Sequence, residues 1–305
     1  MNAVIEIEAA GPLTTIQDEG RKGLMRYGVP ASGPMDRTAY GIAQAVLGNE
    51  PGAGGIEVSL GGLVLRCVEG PVAIATAGGG FRVTVDGAPI PSWGVTILPT
   101  GSRLAIRAGP WGTWTYLCFA GRLLAPSWLG SCATHLRSGL GGGTLAPGMR
   151  LSIETSSKGP PEMGPLVLPV TARPRREIRV VLGPQDHFFP LDSVERFLSE
   201  PYALTSSYDR MGVRLKGPPL QVLGPLDMPS EAVVRGGIQV AGDGQPTVLL
   251  ADHQTTGGYP KIATVASIDL DAFTQLRPHT LVRFRAVSPS QAVAFLRTRH
   301  QSLSS

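Results

Sequence analysis

Glycine and proline break the apolar runs of this chain at short intervals, with 40 and 27 of them spread along all 305 residues rather than gathered in one tract. A chain interrupted so often builds many turns and short strands, not long helices. Alternation supports this. In Phe81-Arg-Val-Thr-Val-Asp-Gly87 the residues Phe81, Val83 and Val85 share one face and Arg82 and Thr84 the other, with Asp86-Gly87 as a hairpin turn. The fold class is therefore mainly β, in half-exposed antiparallel sheets.

Further strands are expected at residues 1–10, 63–67, 72–76, 95–98, 103–107, 114–119, 150–153, 178–182 and 281–286. Helical spacing appears over 36–47, where Ala39, Ile42, Ala43 and Val46 recur, and over 191–199. Ser288-Pro289 starts a closing helix through Leu296, after which the last few residues have nothing to pack. A chain of this length favours two domains. The proline-rich stretch Ser156 to Pro174 is the best boundary, giving domains 1–172 and 173–305.

Polar chemistry is densest between an apolar run at Val248 to Ala251 and an expected strand at Ile262 to Ile268. There Asp252, His253, Gln254, Thr255 and Thr256 are followed by Gly257, Gly258, Tyr259, Pro260 and Lys261. A plain turn needs fewer residues and gains nothing from so many functional groups. A second such loop carries Thr14, Thr15, Gln17, Asp18, Arg21, Ser32 and Asp36. A third places Asp209 beside Arg210, and adjacent charges in extended chain have different partners. Two glycine clusters, 77–80 and 139–143, would allow close approach of a ligand or simply a tight turn. Neither has the spacing of a phosphate loop.

A formal charge of +4, with no basic run interleaved with aromatic residues, argues against nucleic acid and suits a small anionic ligand. Arg173, Arg175, Arg176 and Arg179 read as a solvated linker and strand edge. Cys67, Cys118 and Cys132 are odd in number and lack metal-ligand spacing, which favours reduced thiols, a cytoplasmic setting and no metal site. No segment has the length of a membrane span, and the amino terminus does not read as a signal peptide.

Seven motifs, taken in order, carry a resemblance: GPLTTIQDEGR (11–21), GVPASGPMD (28–36), LGSCATHLRSGLGG (129–142), GPQDHF (183–188), SYDRMGVRL (207–215), SEAVVRGGIQV (230–240) and ADHQTTGGYPKIATV (251–265). Together they resemble the biotin-dependent carboxyltransferase subunit family, which spans the C-type component of 5-oxoprolinase, KipA-type proteins and part of urea carboxylase. The resemblance implies two cyclophilin-like β-barrel halves with a few short helices and a sister protein of the KipI or subunit-B type. In the 5-oxoprolinase case it further implies ATP with Mg²⁺, a subunit-A protein that completes ring opening to glutamate, and activity only in the assembly.

Activating a lactam by phosphate on its oxygen turns a poor electrophile into one with a good leaving group. For that chemistry the resemblance and residue type assign Lys261 and Arg210 to neutralise phosphate or carboxylate, and Asp252 and Asp209 to orient a donor or help hold nucleotide-associated Mg²⁺. Gln185, Gln254, Thr255, Thr256 and Tyr259, with Gln17, Asp18, Arg21, Ser32 and Asp36, are the substrate-binding candidates. The alternatives within the family are a urea-carboxylase-like carboxyltransferase and a KipA-type regulator that sequesters a histidine-kinase inhibitor. Tyr208, Arg122 and the short 141–148 stretch depart from the family pattern. The chain lacks a Met-Lys-Met biotinyl signature, so any biotin would be carried by another chain or domain.

Overall fold

The computed structural model describes residues 2–156, 161–223 and 228–304, with side chains through residue 298. Strands make up 38% and helices 17%, a mainly β protein. Two compact units are present: Met1–Leu24 with Ala31–Arg173, and Met25–Pro30 with Pro174–Ser305. The main division falls at Arg173, and the segment Met25–Pro30, which sequence alone places in the first domain, counts with the second unit.

The first unit contains two antiparallel sheets. One runs in the order Gly121–Leu123, Arg150–Thr155, Asn2–Ala10, Leu63–Glu69, Arg103–Arg107, Arg82–Val85 and Ala88–Ile90. The other runs Gly164–Pro165, Gly94–Leu98, Val72–Gly78, Thr115–Phe119, Gly55–Val58 and Thr15–Gln17. Their inward positions merge into one core: Ile5, Ile7 and Leu65 from the first sheet join Ile56, Ile74 and Leu117 from the second, all essentially inaccessible. The Asp86-Gly87 turn has φ of 49° and 82°, and Val85 pairs with Ala88, as a two-residue hairpin requires. Helix Arg37–Val46 buries Ala39, Tyr40 and Ala43 against strands of the second sheet, and its N-cap Asp36 accepts from the Ala39 N–H at 2.9 Å.

Part of the expected linker is structural. Gly164–Pro165 adds to the edge at Gly94–Val95, and Leu166 and Leu168 pack against the core. Residues 157–160 of that stretch lie outside the described residues.

In the second unit seven strands close a barrel: Glu177–Leu182, Lys261–Val265, Gly237–Val240, Pro246–Leu249, Gly212–Lys216, Tyr202–Tyr208 and Leu281–Ala286. Every pairing is antiparallel except the one that joins Leu281–Ala286 to Glu177–Leu182. Helix Leu191–Ser199 packs on Leu281–Ala286, with Phe197 stacked on Phe284 at 4.7 Å.

The single strand expected over 262–268 is corrected by the structure. The strand ends at Val265, and helix Ser267–Thr274 begins where the strand should have continued. Every residue from Ile268 to Thr274 is buried, so the helix carries no polar stripe and its sequence loses the 3.6-residue signal. The closing helix, expected to stop at Leu296, runs Pro289–Ser304; the terminal residues expected to lack structure are helical through Ser304, and Ser305 lies outside the described residues.

Candidate functional site

In the second unit a β-bulge sets the site. Ile238 pairs with Ala263, but Gln239 pairs with Lys261, leaving Ile262 as the extra residue. A bulge re-aims the side chains on either side of it, here making Gln239 and Lys261, an amide and an ammonium, cross-strand partners. Gln185 locks onto the same strand from the preceding loop. Its N–H donates to the Lys261 carbonyl at 3.3 Å, and its Oε1 accepts from the Lys261 N–H at 3.0 Å. That second bond fixes the amide orientation, because only the oxygen can accept. Nε2 must then point away, and it donates to Glu231 Oε2 at 2.7 Å.

The Lys261 ammonium reaches the same oxygen at 3.4 Å. Lys261 is 4% exposed and Gln185 5%, whereas the Glu231 side chain is 55% exposed. Two buried donors thus converge on one carboxylate oxygen that approaches from solvent. Glu231 is delivered by a two-residue strand, Glu231–Ala232, paired with Thr256–Gly257. Gln254 Nε2 donates to Gln239 Oε1 at 3.2 Å, and Gly257 lies so close that a Cβ there would sit 2.5 Å from Gln239 Nε2 and 3.3 Å from Gln254 Nε2. Lys261, Gln185, Gln239, Gln254 and Glu231 therefore form one polar cluster.

The other candidates of this unit are placed differently. Arg210 and Asp252 are buried and meet in a two-pronged ion pair, which ties the 209–211 turn to the 250–252 segment together with backbone bonds from Leu250 N to Met211 O and Asp252 N to Arg210 O. Asp209 is exposed, and its Oδ1 accepts from the N–H groups of Met211 and Gly212, capping its own turn. The neighbouring charges do have different partners, as their adjacency implies. Thr256 and Tyr259 are exposed and Thr255 half-buried on the same loop. His253 is buried with Nδ1 2.6 Å from the Gln254 carbonyl.

In the first unit, the polar loop is tied into the fold by internal hydrogen bonds. Asp18 accepts from Ser131 Oγ at 2.6 Å, Gly20 N at 2.8 Å and Cys132 N at 2.7 Å. Arg21 donates to the carbonyls of Trp128 and Ser131, and Gln17 Nε2 to Thr15 Oγ1 and the Thr134 carbonyl. Ser32 is buried with φ of 55°, a conformation uncommon for a residue with a Cβ. Asp18 and Cys132 also line a cleft of about 690 Å³, with Asn49, Glu50, Arg122 and Glu154. Burial, reinforced by the negative charge of Asp18, pushes the Cys132 thiol up to about 12. In each glycine cluster one glycine is required by close packing. A Cβ on Gly80 would strike the Trp111 indole at 2.3 Å, and one on Gly142 the Ile16 side chain at 2.7 Å.

All three cysteines are free and buried. Among the described residues no group of three or more His, Cys, Asp and Glu could hold a metal, and no helix is long and apolar enough to cross a membrane. Asp252 and Asp209, expected as partners of a nucleotide-bound Mg²⁺, are committed to Arg210 and to a turn.

Glu231 and Gln239 are site residues that sequence reasoning does not single out. Gln239 carries a usable signal as the polar residue inside the otherwise apolar Gly237–Val240 strand; Glu231 has no local sign beyond its place in the 230–240 motif.

A family model described as carboxyltransferase domain, subdomain A and B, matches residues 27–286, and the chain belongs to that family. It is 34% identical to the C component of the 5-oxoprolinase of Haemophilus influenzae over 297 residues, 96% of this chain and 94% of that protein. The same-named protein of Escherichia coli is 33% identical, covering 95% and 93%. The urea amidolyase of Saccharomyces cerevisiae is 30% identical over 95% of this chain but only 17% of its own length. The solved Kluyveromyces lactis urea amidolyase superposes with a TM-score of 0.88 at 27% identity, over 98% of this chain and 20% of that one.

Proposed function

We propose that this chain is the C component of an ATP-dependent 5-oxoprolinase, working with a subunit-B (KipI-type) partner that helps phosphorylate the lactam and a subunit-A protein that completes opening to glutamate. The observation that carries this reading is the polar cluster around Lys261. 5-Oxoproline presents one carboxylate and one lactam, and the cluster supplies a buried cation for the first and amides able to donate and accept for the second. The near end-to-end match to stand-alone proteins of that name supports it too. ATP and its Mg²⁺ would supply the phosphoryl group. Asp252 is paired with Arg210 and Asp209 caps its own turn, so the role we assign to this chain is to bind and orient the lactam.

Reconstitution with the A and B components tests the reading. The full set is expected to make glutamate from 5-oxoproline only with ATP, and Lys261→Ala should lower kcat/KM about 100-fold, roughly 2.7 kcal/mol. No turnover with all components present, or turnover indifferent to Lys261→Ala, would overturn it. The family's name and the urea amidolyase similarity favour a second reading, a carboxyltransferase component served by biotin on another chain. Carboxylation of urea on adding a biotin carboxylase and a biotinylated carrier would replace the first reading with this one. Stable capture of the KipI-type partner with no turnover in any combination would instead favour the KipA-type regulator.

A further inference from the structure

We propose that Lys261 and Gln185 form a carboxylate-binding site, that Glu231 occupies it as an internal surrogate, and that a ligand carboxylate binds by displacing Glu231. This rests on the reading of the cluster as the substrate site. Three observations carry it.

First, the donors are fixed and the acceptor is not. The Gln185 amide cannot rotate without giving up the bond from the Lys261 N–H, and the Lys261 side chain, anchored on the bulge, is 5% exposed, so both donors are confined. Glu231 comes from a two-residue strand and is more than half exposed. Second, the contact is lopsided. Both donors fall on Oε2, at 2.7 and 3.4 Å, a charge-assisted bond from an amide and an ammonium of the kind any carboxylate can accept. Third, the ammonium is too buried to be left without an anion. An uncompensated buried charge is costly, so Lys261 requires either Glu231 or a substitute.

Exchange of one carboxylate for another keeps the site neutral at every stage apart from the swap itself. It also makes affinity a difference: the ligand is bound only as far as it outcompetes Glu231. A neutral ligand without a carboxylate gains nothing from the exchange.

The test uses calorimetric titration of the full chain with 5-oxoproline, acetate and 2-pyrrolidone, the last being the lactam ring without its carboxylate. Glu231→Gln removes the competing charge and keeps an acceptor for Gln185. It is expected to tighten acetate and 5-oxoproline about tenfold and leave 2-pyrrolidone unchanged; adding Lys261→Met should abolish the gain. A stability readout guards against misfolding: the thermal midpoint of Glu231→Gln should fall and be restored by acetate or 5-oxoproline but not by 2-pyrrolidone. Equal affinity of wild type and Glu231→Gln for both acids, or a gain that survives Lys261→Met, would overturn the proposal. If acetate gains as expected while 5-oxoproline binds no better than acetate, the surrogate stands and the lactam assignment falls. If 5-oxoproline binds specifically yet ignores Glu231→Gln, the surrogate falls and the lactam assignment stands.

Discussion

Arg210 and Asp252 face each other as a fork, Nε to Oδ2 at 3.0 Å and Nη2 to Oδ1 at 2.9 Å, with both side chains withdrawn from solvent. A carboxylate held by both oxygens is poorly placed to accept a proton from a substrate. The pair therefore reads as a brace, despite its place beside the polar loop. Asp252→Ala leaves a buried guanidinium without this partner and should cost about 3–5 kcal/mol. A urea-denaturation midpoint that moves by less than about 1 kcal/mol equivalent would contradict the brace.

Gly257 tests the cluster without touching a charge. The methyl of Gly257→Ala would sit 2.5 Å from Gln239 Nε2, so the Gln239 and Gln254 amides must shift. The expected outcome is a KM for 5-oxoproline raised about tenfold or more in the reconstituted enzyme, with the thermal midpoint changed by only a few degrees. Unaltered KM would remove Gln239 and Gln254 from the binding role.

Asp18 gathers three donors, those of Ser131, Gly20 and Cys132, into the first unit. Each orphaned buried donor costs about 1–3 kcal/mol, so Asp18→Ala should destabilise by about 3 kcal/mol or more and Ser131→Ala by about 1 kcal/mol. Equal effects of the two, read from denaturant midpoints, would show that the carboxylate is not the organising group.

Alkaline pH should weaken the fold. Burial pushes the Cys132 thiol and the Tyr202 phenol each up to about 12, and holds the thiols of Cys67 and Cys118 and the phenols of Tyr40 and Tyr116 above their ordinary values. In the unfolded chain thiols ionise near 8.5 and phenols near 10. Folded-state values above unfolded ones mean stability is intact below about pH 8.5 and is lost progressively as pH rises toward 12. Urea midpoints measured from pH 7 to 11 should fall over that window, and iodoacetamide at pH 8 should label the cysteines only after denaturation. Rapid labelling of the native chain would contradict the burial of these thiols.

Local periodicity accounts for the elements legible in the sequence. The strands Asn2–Ala10 and Leu281–Ala286 and the helix Leu191–Ser199 fall where alternation and helical spacing put them, because each has one more buried and one wetter face. Helix Ser267–Thr274 defeats the same reasoning for the opposite reason, being buried all round. The site is half legible. Lys261, Gln185 and Gln254 are recognisable as chemistry, but their convergence depends on a bulge that skips Ile262 and on a bond between residues 76 apart in the chain. Neither leaves a periodic trace. Asp209 and Arg210 look like reactive groups for want of any sequence signal that separates a turn cap or an internal brace from a catalytic residue.

The parallel register of Glu177–Leu182 with Leu281–Ala286, from Glu177 opposite Arg283 to Val180 opposite Ala286, makes the seam of the barrel from its earliest and latest strands. During synthesis the ribosome must release about a hundred intervening residues before that seam can zip, and until then two unpaired strand edges face the surrounding solution. Nascent chains stalled before residue 281 should therefore be the aggregation-prone species, and a sister protein or chaperone that shields those edges would act on yield rather than on turnover.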